Sequence, residues 1–260
     1  MKKIITFLVC LGISYAFSLS GGYGSMQQQI GGYVKGEKGK NYFGKKNVNP
    51  STDPYTGYFG LADKTHPYFW IKLTHSIPYV PNIKFQYTKY ESSGHSDYIA
   101  ANVKVFGNVN INTIVTNADT YMSIDSYDTT LFYTLKKYGY DIELGAGLDY
   151  WHGKFKIYDN TVQKYKINYE GSLMLPYLYA GAESKKKYGL SVLGNVKIAY
   201  IGDKHYYDLL GGVKYTINTG YVNPFVKVGY KYKEAYYKDE ADNTTTLTYK
   251  GIFFEIGAKF

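Results

Sequence analysis

The chain ends on the sequence Ile252-Phe253-Phe254-Glu255-Ile256-Gly257-Ala258-Lys259-Phe260, in which every second side chain is apolar. Successive side chains of a β-strand point to opposite faces, so a strand here would have one fully apolar face. That face carries Ile252, Phe254, Ile256, Ala258 and Phe260. The opposite face carries the two charged residues, Glu255 and Lys259. The segment therefore predicts a terminal strand that separates an apolar environment from a polar one.

The opposite end of the chain has the layout of a secretory signal peptide. Met1-Lys2-Lys3 is basic, Ile4–Ile13 is mostly apolar and too short to span a bilayer as a helix, and Ser14-Tyr15-Ala16 supplies small residues before a cleavage site. We therefore expect residues 1–16 to be removed and residues 17–260 to form one exported domain. The alternative of a lipoprotein acylated at Cys10 is disfavoured because Val9 is bulky and the apolar run before it is short.

The composition favours an all-β membrane protein. The chain has 33 tyrosines, 28 glycines and only 7 prolines, and it contains no run of apolar residues long enough for a transmembrane helix. Tyr140–Trp151 alternates throughout, with Tyr140, Leu144, Leu148 and Tyr150 on one face. Ten residues of strand span about 33 Å, or about 25 Å of height at a tilt near 40°, which matches the apolar band of an outer-membrane barrel.

The same alternation recurs along the chain and predicts an antiparallel transmembrane β-barrel of ten strands, with eight and twelve as alternatives. The predicted strands are Phe17–Val34, Pro67–Ser76, Asn82–Glu91, Met122–Lys136, Tyr140–Trp151, Leu173–Glu183, Tyr188–Tyr200, Tyr206–Ile217, Val222–Tyr232 and Leu247–Phe260. Pro176 lacks a ladder donor, so its strand needs a bulge or a displaced boundary. Tyr98–Thr116 also alternates and bends at Gly107-Asn108; it is interpreted as an extracellular extension, or as a further hairpin if the barrel has twelve strands.

Short connections alternate with longer ones, as outer-membrane barrels require, and we assign the short ones to the periplasmic side. One of them is the turn Ile77–Pro81, where Pro78 and Pro81 fix the backbone, Asn82 can bind a local backbone group and His75 can cap the turn through a hydrogen bond. The longer connections include Lys35–His66 and Ser92–Tyr121.

Three segments resemble a family of small outer-membrane proteins of Gram-negative bacteria that carries a Gly-Gly signature. They are Gly21-Gly22, His75-Ser76-Ile77-Pro78-Tyr79-Val80-Pro81-Asn82 and Asp128-Thr129-Thr130-Leu131-Phe132-Tyr133. The alternating strand that ends on Phe260 is similar to the C-terminal signal of such barrels. The resemblance implies a barrel in the outer membrane, delivered by periplasmic chaperones and the barrel-assembly machinery, and it implies no particular activity.

Charged residues of the strands are expected in the barrel lumen, because an outward lysine at the bilayer midplane costs about 2 to 4 kcal/mol. The alternation assigns seven lysines and six carboxylates to this inward face: Lys72, Lys84, Lys136, Lys197, Lys214, Lys227, Lys231, Asp128, Asp141, Glu143, Asp149, Asp208 and Glu255. Nearly equal numbers of opposite charges predict a neutralised ion-pair network. Ten strands then leave a narrow or plugged interior.

Other chemistries are less well supported by the sequence. Removal of Lys2 and Lys3 lowers the net charge from +9 to +7, and Tyr230-Lys231-Tyr232-Lys233 could bind nucleic acid, but export favours tyrosine facing lipid and lysine facing the lumen. Asp239-Glu240-Ala241-Asp242 is interpreted as solvated charge rather than a metal site. We expect no cofactor, no metal and no nucleic-acid partner.

No Gly-x-Ser-x-Gly or His-Glu-x-x-His motif occurs, so no catalysis is expected, although four histidines fall in or near the outer loops: His66, His95, His152 and His205. The sequence thus favours an outer-membrane barrel of structural or narrow-pore type. A surface adhesin or lipopolysaccharide-contacting protein is the alternative, because the first long loop carries lysines suited to phosphate: Lys35, Lys38, Lys40, Lys45 and Lys46. An outer-membrane hydrolase is the third hypothesis.

Overall fold

The structure is a computed structural model that describes residues 17–46, 49–105, 109–239 and 241–260. The predicted signal peptide, the bend at Gly107-Asn108 and Glu240 lie outside these ranges. The described residues form strands joined by turns: β1 (Phe17–Lys35), β2 (Lys40–Gly44), β3 (Thr56–Leu61), β4 (Lys64–His75), β5 (Asn82–Ile99), β6 (Val103–Val105), β7 (Val109–Ile111), β8 (Val115–Lys137), β9 (Tyr140–Asp159), β10 (Lys164–Ser184), β11 (Leu190–Ile201), β12 (Lys204–Thr216), β13 (Asn223–Lys238) and β14 (Thr244–Lys259). No helix in the described ranges is long and apolar enough to cross a membrane.

The long strands pair with their neighbours into a closed antiparallel ring. Its order is β1, β4, β5, β8, β9, β10, β11, β12, β13, β14, and β14 pairs back onto β1 from Ser20↔Lys259 to Lys35↔Thr244. Each predicted strand overlaps one strand of this ring. The all-β fold and the barrel predicted from the alternation are therefore confirmed.

A belt of exposed apolar side chains surrounds the ring. They include Leu19, Tyr23, Phe69, Ile71, Ile83, Leu131, Tyr133, Leu144, Leu148, Leu178, Val192, Ile198, Leu209, Val213, Val226, Val228, Ile252, Phe254 and Ile256. Such a surface is stable in contact with acyl chains and is far larger than the apolar patches that water-soluble monomers expose. The barrel is thus a transmembrane barrel, with the belt facing lipid.

The polarity of the two faces inverts beyond the belt. In the second half of β9, Lys154 and Lys156 point outward, whereas Phe155 and Ile157 are fully buried inside. Strands β8, β9 and β10 are 23, 20 and 21 residues long and carry this inverted pattern above the membrane-facing part. The barrel therefore continues as an extension at the end that holds the longer loops, which we call the long-loop end.

The first long loop and the segment after β5 are folded into this extension. Strand β2 pairs with β1 and lies parallel to β3, which reaches β5 at Leu61↔Gly94. Strands β6 and β7 form a hairpin outside the ring, and Val103, Val105 and Ile111 of this hairpin enter the apolar core of the extension. The described residues of Tyr98–Thr116 thus extend the barrel and add no further strand to the ring.

Strand β10 differs from its prediction at Pro176. The strand runs through Pro176, which lies opposite Leu148 in an uninterrupted register, and the one irregularity in this ladder is between Tyr165 and Ile167. The expectation of a bulge or a displaced boundary at the proline is therefore wrong. On the other side, the ladder with β11 ends at Leu178↔Ile198. Pro176 lies two residues before Leu178, so its edge toward β11 is unpaired. A proline is tolerated at such an edge because it has no backbone N–H to donate.

Candidate functional site

The inward face of the ring carries a network of ion pairs. Among the described residues the network contains Lys72–Glu143, Lys197–Asp128, Lys214–Glu183, Lys227–Glu255, Lys231–Asp208 and Lys233–Asp149. The Nζ to carboxylate distance is 2.7 Å for Lys227–Glu255, 3.1 Å for Lys231–Asp208 and 2.8 Å for Lys233–Asp149. Each pair joins two different strands, so the network cross-links the barrel from inside.

Tyrosine hydroxyls complete the coordination of four of these carboxylates. Tyr68 donates to Glu255 at 3.0 Å, Tyr179 to Glu143 at 2.8 Å, Tyr177 to Asp128 at 2.5 Å and Tyr206 to Asp149 at 3.0 Å. A carboxylate has several acceptor sites, so one lysine alone leaves part of its capacity unused. The recurring unit of this lumen is therefore a carboxylate held by one lysine and one tyrosine.

The centre of the network is sealed from water. The Asp149 side chain is 0% exposed and that of Lys233 is 2% exposed. The Lys233 ammonium lies 5.0 Å from the ring centres of Tyr90 and Trp151 and 5.6 Å from that of Tyr206. The three rings lie around the pair and belong to the apolar core that continues into the extension.

Most of the charged residues predicted for the lumen take part in this network, with three exceptions. Lys136 and Asp141 are exposed and lie opposite each other on β8 and β9, on either side of the short turn that joins these strands. No ion pair joins them to the network among the described residues, and their assignment to it stays a prediction. Lys84 does line the lumen, but it lies 5.4 Å from the Trp70 ring centre and has no ion-pair partner among the described residues.

Two members of the network were missed by the sequence analysis. Lys233 follows the predicted end of its strand at Tyr232, and Glu183 is the last residue of the predicted strand Leu173–Glu183. The sequence analysis also assigns no tyrosine to the network. Parity could have identified the inward tyrosines, because Tyr68 shares a face with Lys72, and Tyr206 shares a face with Asp208.

Hydrogen bonds within the strand connection hold the turn between β4 and β5. The His75 amide donates to Asn82 Oδ1 at 2.9 Å, and the Ile77 amide donates to His75 Nδ1 at 3.2 Å. Since Nδ1 accepts, Nε2 carries the proton and donates to the Pro81 carbonyl at 3.2 Å. The asparagine amide also reaches Thr134 on β8 at 3.2 Å. Pro78 lies between these contacts, and His75 thus acts on the turn rather than on the lumen.

The closing strand β14 presents its predicted apolar face to the outside. Ile252, Phe254, Ile256 and Phe260 are each more than half exposed, and Ala258 pairs with Gly21 of β1. The Phe260 amide donates to the Leu19 carbonyl at 2.8 Å, which fixes the last residue to the first strand. Recognition of this strand by assembly factors stays a prediction.

The remaining histidines lie outside the lumen network. His66 contacts the Glu91 carbonyl at 2.8 Å, and His205 stacks on Tyr236 with ring centres 4.4 Å apart. His95 binds Asp119 at 2.9 Å, and this hydrogen bond holds the pKa of the Asp119 carboxyl below its usual value. These three histidines stabilise contacts between neighbouring strands.

His152 lies in a chain of polar contacts on the exposed outer face of β9 and β10. Its Nδ1 is 3.2 Å from Ser172 Oγ, and its Nε2 is 2.9 Å from Glu170 Oε1. The Ser172 hydroxyl is also 2.8 Å from the Tyr150 hydroxyl. Serine, histidine and carboxylate in sequence are the components of a hydrolytic triad, so this cluster is the place to test for catalysis.

The acidic segment after β13 is engaged in local contacts. Asp239 Oδ1 accepts from the Ala241 and Asn243 amides at 3.0 and 2.9 Å, and Asp242 pairs with Lys238 at 2.7 Å. Within the described ranges no cluster of histidine, cysteine and carboxylate side chains could hold a metal ion.

Comparisons with known proteins give only distant similarities. No protein-family model and no curated protein matches the chain. Among solved structures, the outer membrane protease OmpT from Escherichia coli is 8% identical, with a TM-score of 0.46 and coverage of 94% of this chain and 96% of OmpT. The attachment protein Ail of Yersinia pestis is 10% identical, with a TM-score of 0.36 and coverage of 94% and 99%. The translocator domain of NalP from Neisseria meningitidis is 10% identical, with a TM-score of 0.40 and coverage of 100% and 94%. Such values identify neither a family nor a function, so membership of the Gly-Gly family stays a prediction.

Proposed function

We propose that this protein is a structural barrel of the outer membrane of a Gram-negative bacterium, with a lumen closed to solutes. The observation that carries the proposal is the central layer of the lumen, where Asp149 and Lys233 are sealed between Tyr90, Trp151 and Tyr206. An open channel would keep its charged side chains hydrated, whereas here they are used to cross-link strands. Of the two types predicted from sequence, the structural type is therefore favoured over the narrow pore.

The proposed location rests on the lipid-facing belt of a closed antiparallel barrel, since such barrels occur in outer membranes. The export signal predicted at residues 1–16 is consistent with it. The proposed partners are outer-membrane lipid and lipopolysaccharide. The periplasmic chaperones and assembly machinery are proposed as further partners, which would recognise the C-terminal strand that ends at Phe260 through its outward apolar side chains.

Single-channel recording in planar bilayers tests the closed lumen. We expect the wild-type barrel to insert without stable conductance, because the Asp149–Lys233 pair in the central layer is buried away from water. Insertion is verified independently by heat-dependent migration on gels and by resistance of the strands to protease. Reproducible conductance steps that scale with the amount of inserted protein would contradict the proposal and restore the narrow pore.

Contact with phosphate groups of lipopolysaccharide is a second candidate, supported by a patch on β1 and β2. The Lys40 ammonium lies 4.2 Å from the Tyr33 ring centre and 4.7 Å from that of Tyr42, and the Lys46 ammonium is 3.8 Å from the Tyr42 ring. Hydrogen bonds from Lys40 and Lys46 lower the pKa of the Tyr42 hydroxyl, which shows the positive potential there. The pairing of β2 with β1 holds the patch against the barrel.

This second candidate is tested by adding purified lipopolysaccharide to the barrel in detergent and measuring the melting temperature. We expect stabilisation of the wild type and a reduced effect in a Lys40→Gln, Lys46→Gln double variant. Lys185→Gln, Lys186→Gln at the opposite end is the matched control and should behave as the wild type. Equal stabilisation of all three proteins would exclude the patch.

We propose no catalytic role for the protein. The Ser172, His152 and Glu170 contacts lie on an open outer face and join side chains of neighbouring strands, as a surface hydrogen-bond network does. A fluorophosphonate probe therefore should not label the folded barrel. Labelling of the wild type that disappears in Ser172→Ala would instead assign hydrolase activity to this cluster.

A further inference from the structure

Among the described residues of the lumen, Lys84 is a lysine that takes no part in the ion-pair network. It projects inward from β5, between Lys72 of β4 and Thr130 of β8. Seven lysines of the inward face meet six carboxylates, and the six ion pairs use the other six lysines: Lys72, Lys197, Lys214, Lys227, Lys231 and Lys233. The described part of the lumen therefore holds one lysine without a carboxylate of its own.

Asp128 and Glu255, two carboxylates of the lumen near Lys84, already have other lysine partners. Asp128 is bound by Lys197 and by the Tyr177 hydroxyl, and Glu255 is bound by Lys227 and by the Tyr68 hydroxyl. Moving either carboxylate toward Lys84 would leave another buried lysine without a partner. An unpaired buried charge costs several kcal/mol, so exchange of partners gives no net relief.

A cavity of about 50 Å3 lies beside Lys84. Its polar lining includes three lysines, two amide residues and one carboxylate residue: Lys84, Lys227, Lys231, Gln86, Asn195 and Glu255, of which Glu255 is paired with Lys227. A single water molecule needs about 10 to 15 Å3 of such volume, so the cavity has room for an ion of halide size and a water beside it. Ammonium and amide N–H groups are donors, which suits an anion.

We infer that this cavity binds one small inorganic anion of single negative charge, of which chloride is the example, with Lys84 as its principal ligand. The anion supplies Lys84 with the negatively charged partner that the carboxylates of the lumen do not provide. The anion would also fill the lumen beside Trp70, whose ring is close to the ammonium groups of both Lys84 and Lys227. The site goes beyond the proposed structural role, because a closed barrel does not need to bind an ion.

Thermal unfolding in detergent tests the site through the dependence on the anion. At constant ionic strength and pH, sodium chloride should raise the melting temperature of the wild type relative to sodium gluconate, whose anion is too large for the cavity. Lys84→Met removes the charge, so this variant should lose the chloride-dependent shift. Lys250→Met changes an exposed lysine and should keep the shift.

Equal chloride shifts in the wild type and in Lys84→Met would assign the effect to general salt action and overturn the inference. Absence of a shift in the wild type would overturn it as well. A crystal of the unaltered protein soaked in bromide supplies a second readout that does not depend on folding of the variant. We expect an anomalous peak next to Lys84 Nζ, and a lumen without such a peak contradicts the site.

Discussion

Tyrosine side chains lie on both faces of the barrel, some in the lipid-facing belt and others in the polar lumen. Tyr133 and Tyr230 point into the lipid-facing belt, whereas Tyr177 and Tyr206 point inward and donate to buried aspartates. A tyrosine supplies apolar area together with one hydroxyl, so it can fill a narrow barrel and saturate a carboxylate at the same time. The tyrosine-rich composition is thus explained by both faces.

The Asp149–Lys233 pair gives a prediction at this scale. Asp149→Asn or Lys233→Met alone should destabilise the barrel by about 3 to 5 kcal/mol, because each leaves a buried charge without its partner. The double variant should be less destabilised than the sum of the two. Urea unfolding of the barrel refolded into lipid vesicles measures these differences.

The exposed pair Lys154–Glu170 is the control for that experiment. Its atoms are 3.4 Å apart, but the side chains are 43% and 55% exposed. Solvent screening makes such exposed pairs weak, so Lys154→Met should have little effect. Losses of similar size at both pairs would show that burial is not what makes the lumen pair strong.

The Gly-Gly sequence gives a second prediction at residue scale. A Cβ atom at Gly22 would lie 2.7 Å from both Glu255 Oε1 and Trp70 Nε1, whereas at Gly21 the nearest atom would be the Trp70 carbonyl oxygen at 3.3 Å. Gly22→Ala should therefore displace Glu255 from Lys227 and cost about 1 to 3 kcal/mol, as overpacking does. Gly21→Ala should cost less, and the same urea titration compares them. The opposite order would show that Gly22 has another role.

At the scale of elements, β9 and β10 are notable for extending as one ladder well above the belt. The turn that joins them is held by Asp159, whose carboxylate accepts from the Thr161 amide at 2.9 Å and from the Val162 amide at 3.2 Å. Burial alone would raise the pKa of Asp159, but these amides and the Lys166 ammonium outweigh it and lower the pKa. The ionised form is thus favoured in the folded turn.

This shift predicts a turn that loosens in acid. A carboxyl whose pKa is lower in the folded state contributes stability above its unfolded pKa of about 3.9, and the contribution is lost as the pH falls through the lower folded value. Hydrogen exchange at Thr161 and Val162, corrected for intrinsic rates, should accelerate below about pH 4. Asp159→Asn removes the titrating group, so its exchange should not show this acid transition. Unchanged protection in the wild type at low pH would refute the role of ionised Asp159.

The alternation of side chains was sufficient to predict the ring but not the extension. In the belt the apolar face points outward, and the sequence analysis carried this rule along each strand. It fails beyond Trp151, where Phe155 points inward and Lys156 outward, so the predicted strand ended too early. The ion-pair partner of a buried charge could not be predicted from the sequence either, because Lys233 and Asp149 lie on distant strands that come together only when the ring closes. Local pattern gives the face of a residue, whereas its partner depends on how distant strands meet.

The whole molecule combines two kinds of core in one cylinder. The inside of the membrane part carries ion pairs and tyrosines, and the inside of the extension carries an apolar core that includes Phe43, Phe59 and the hairpin residues Val103 and Ile111. The first core is polar because its outside faces lipid, and the second is apolar because its outside faces water. The hairpin therefore stabilises the extension, and the barrel does not depend on it for closure.

Removal of the β6–β7 hairpin tests this division of roles. Replacing residues 102–112 with a short Gly-Ser linker exposes apolar core surface, so we expect a lower melting temperature. We still expect no conductance in planar bilayers, because the layer around Lys233 remains below it.

Conductance should appear only when that layer is removed as well, for example by adding Trp151→Ala and Lys233→Ala to the hairpin deletion. The same two substitutions in the presence of the hairpin are the matched control and should stay silent, since the apolar core still closes the long-loop end. Stable conductance after hairpin deletion alone would assign closure to the hairpin. The barrel would then be a gated pore, because a hairpin outside the ring can leave its position without breaking the ladder of strands.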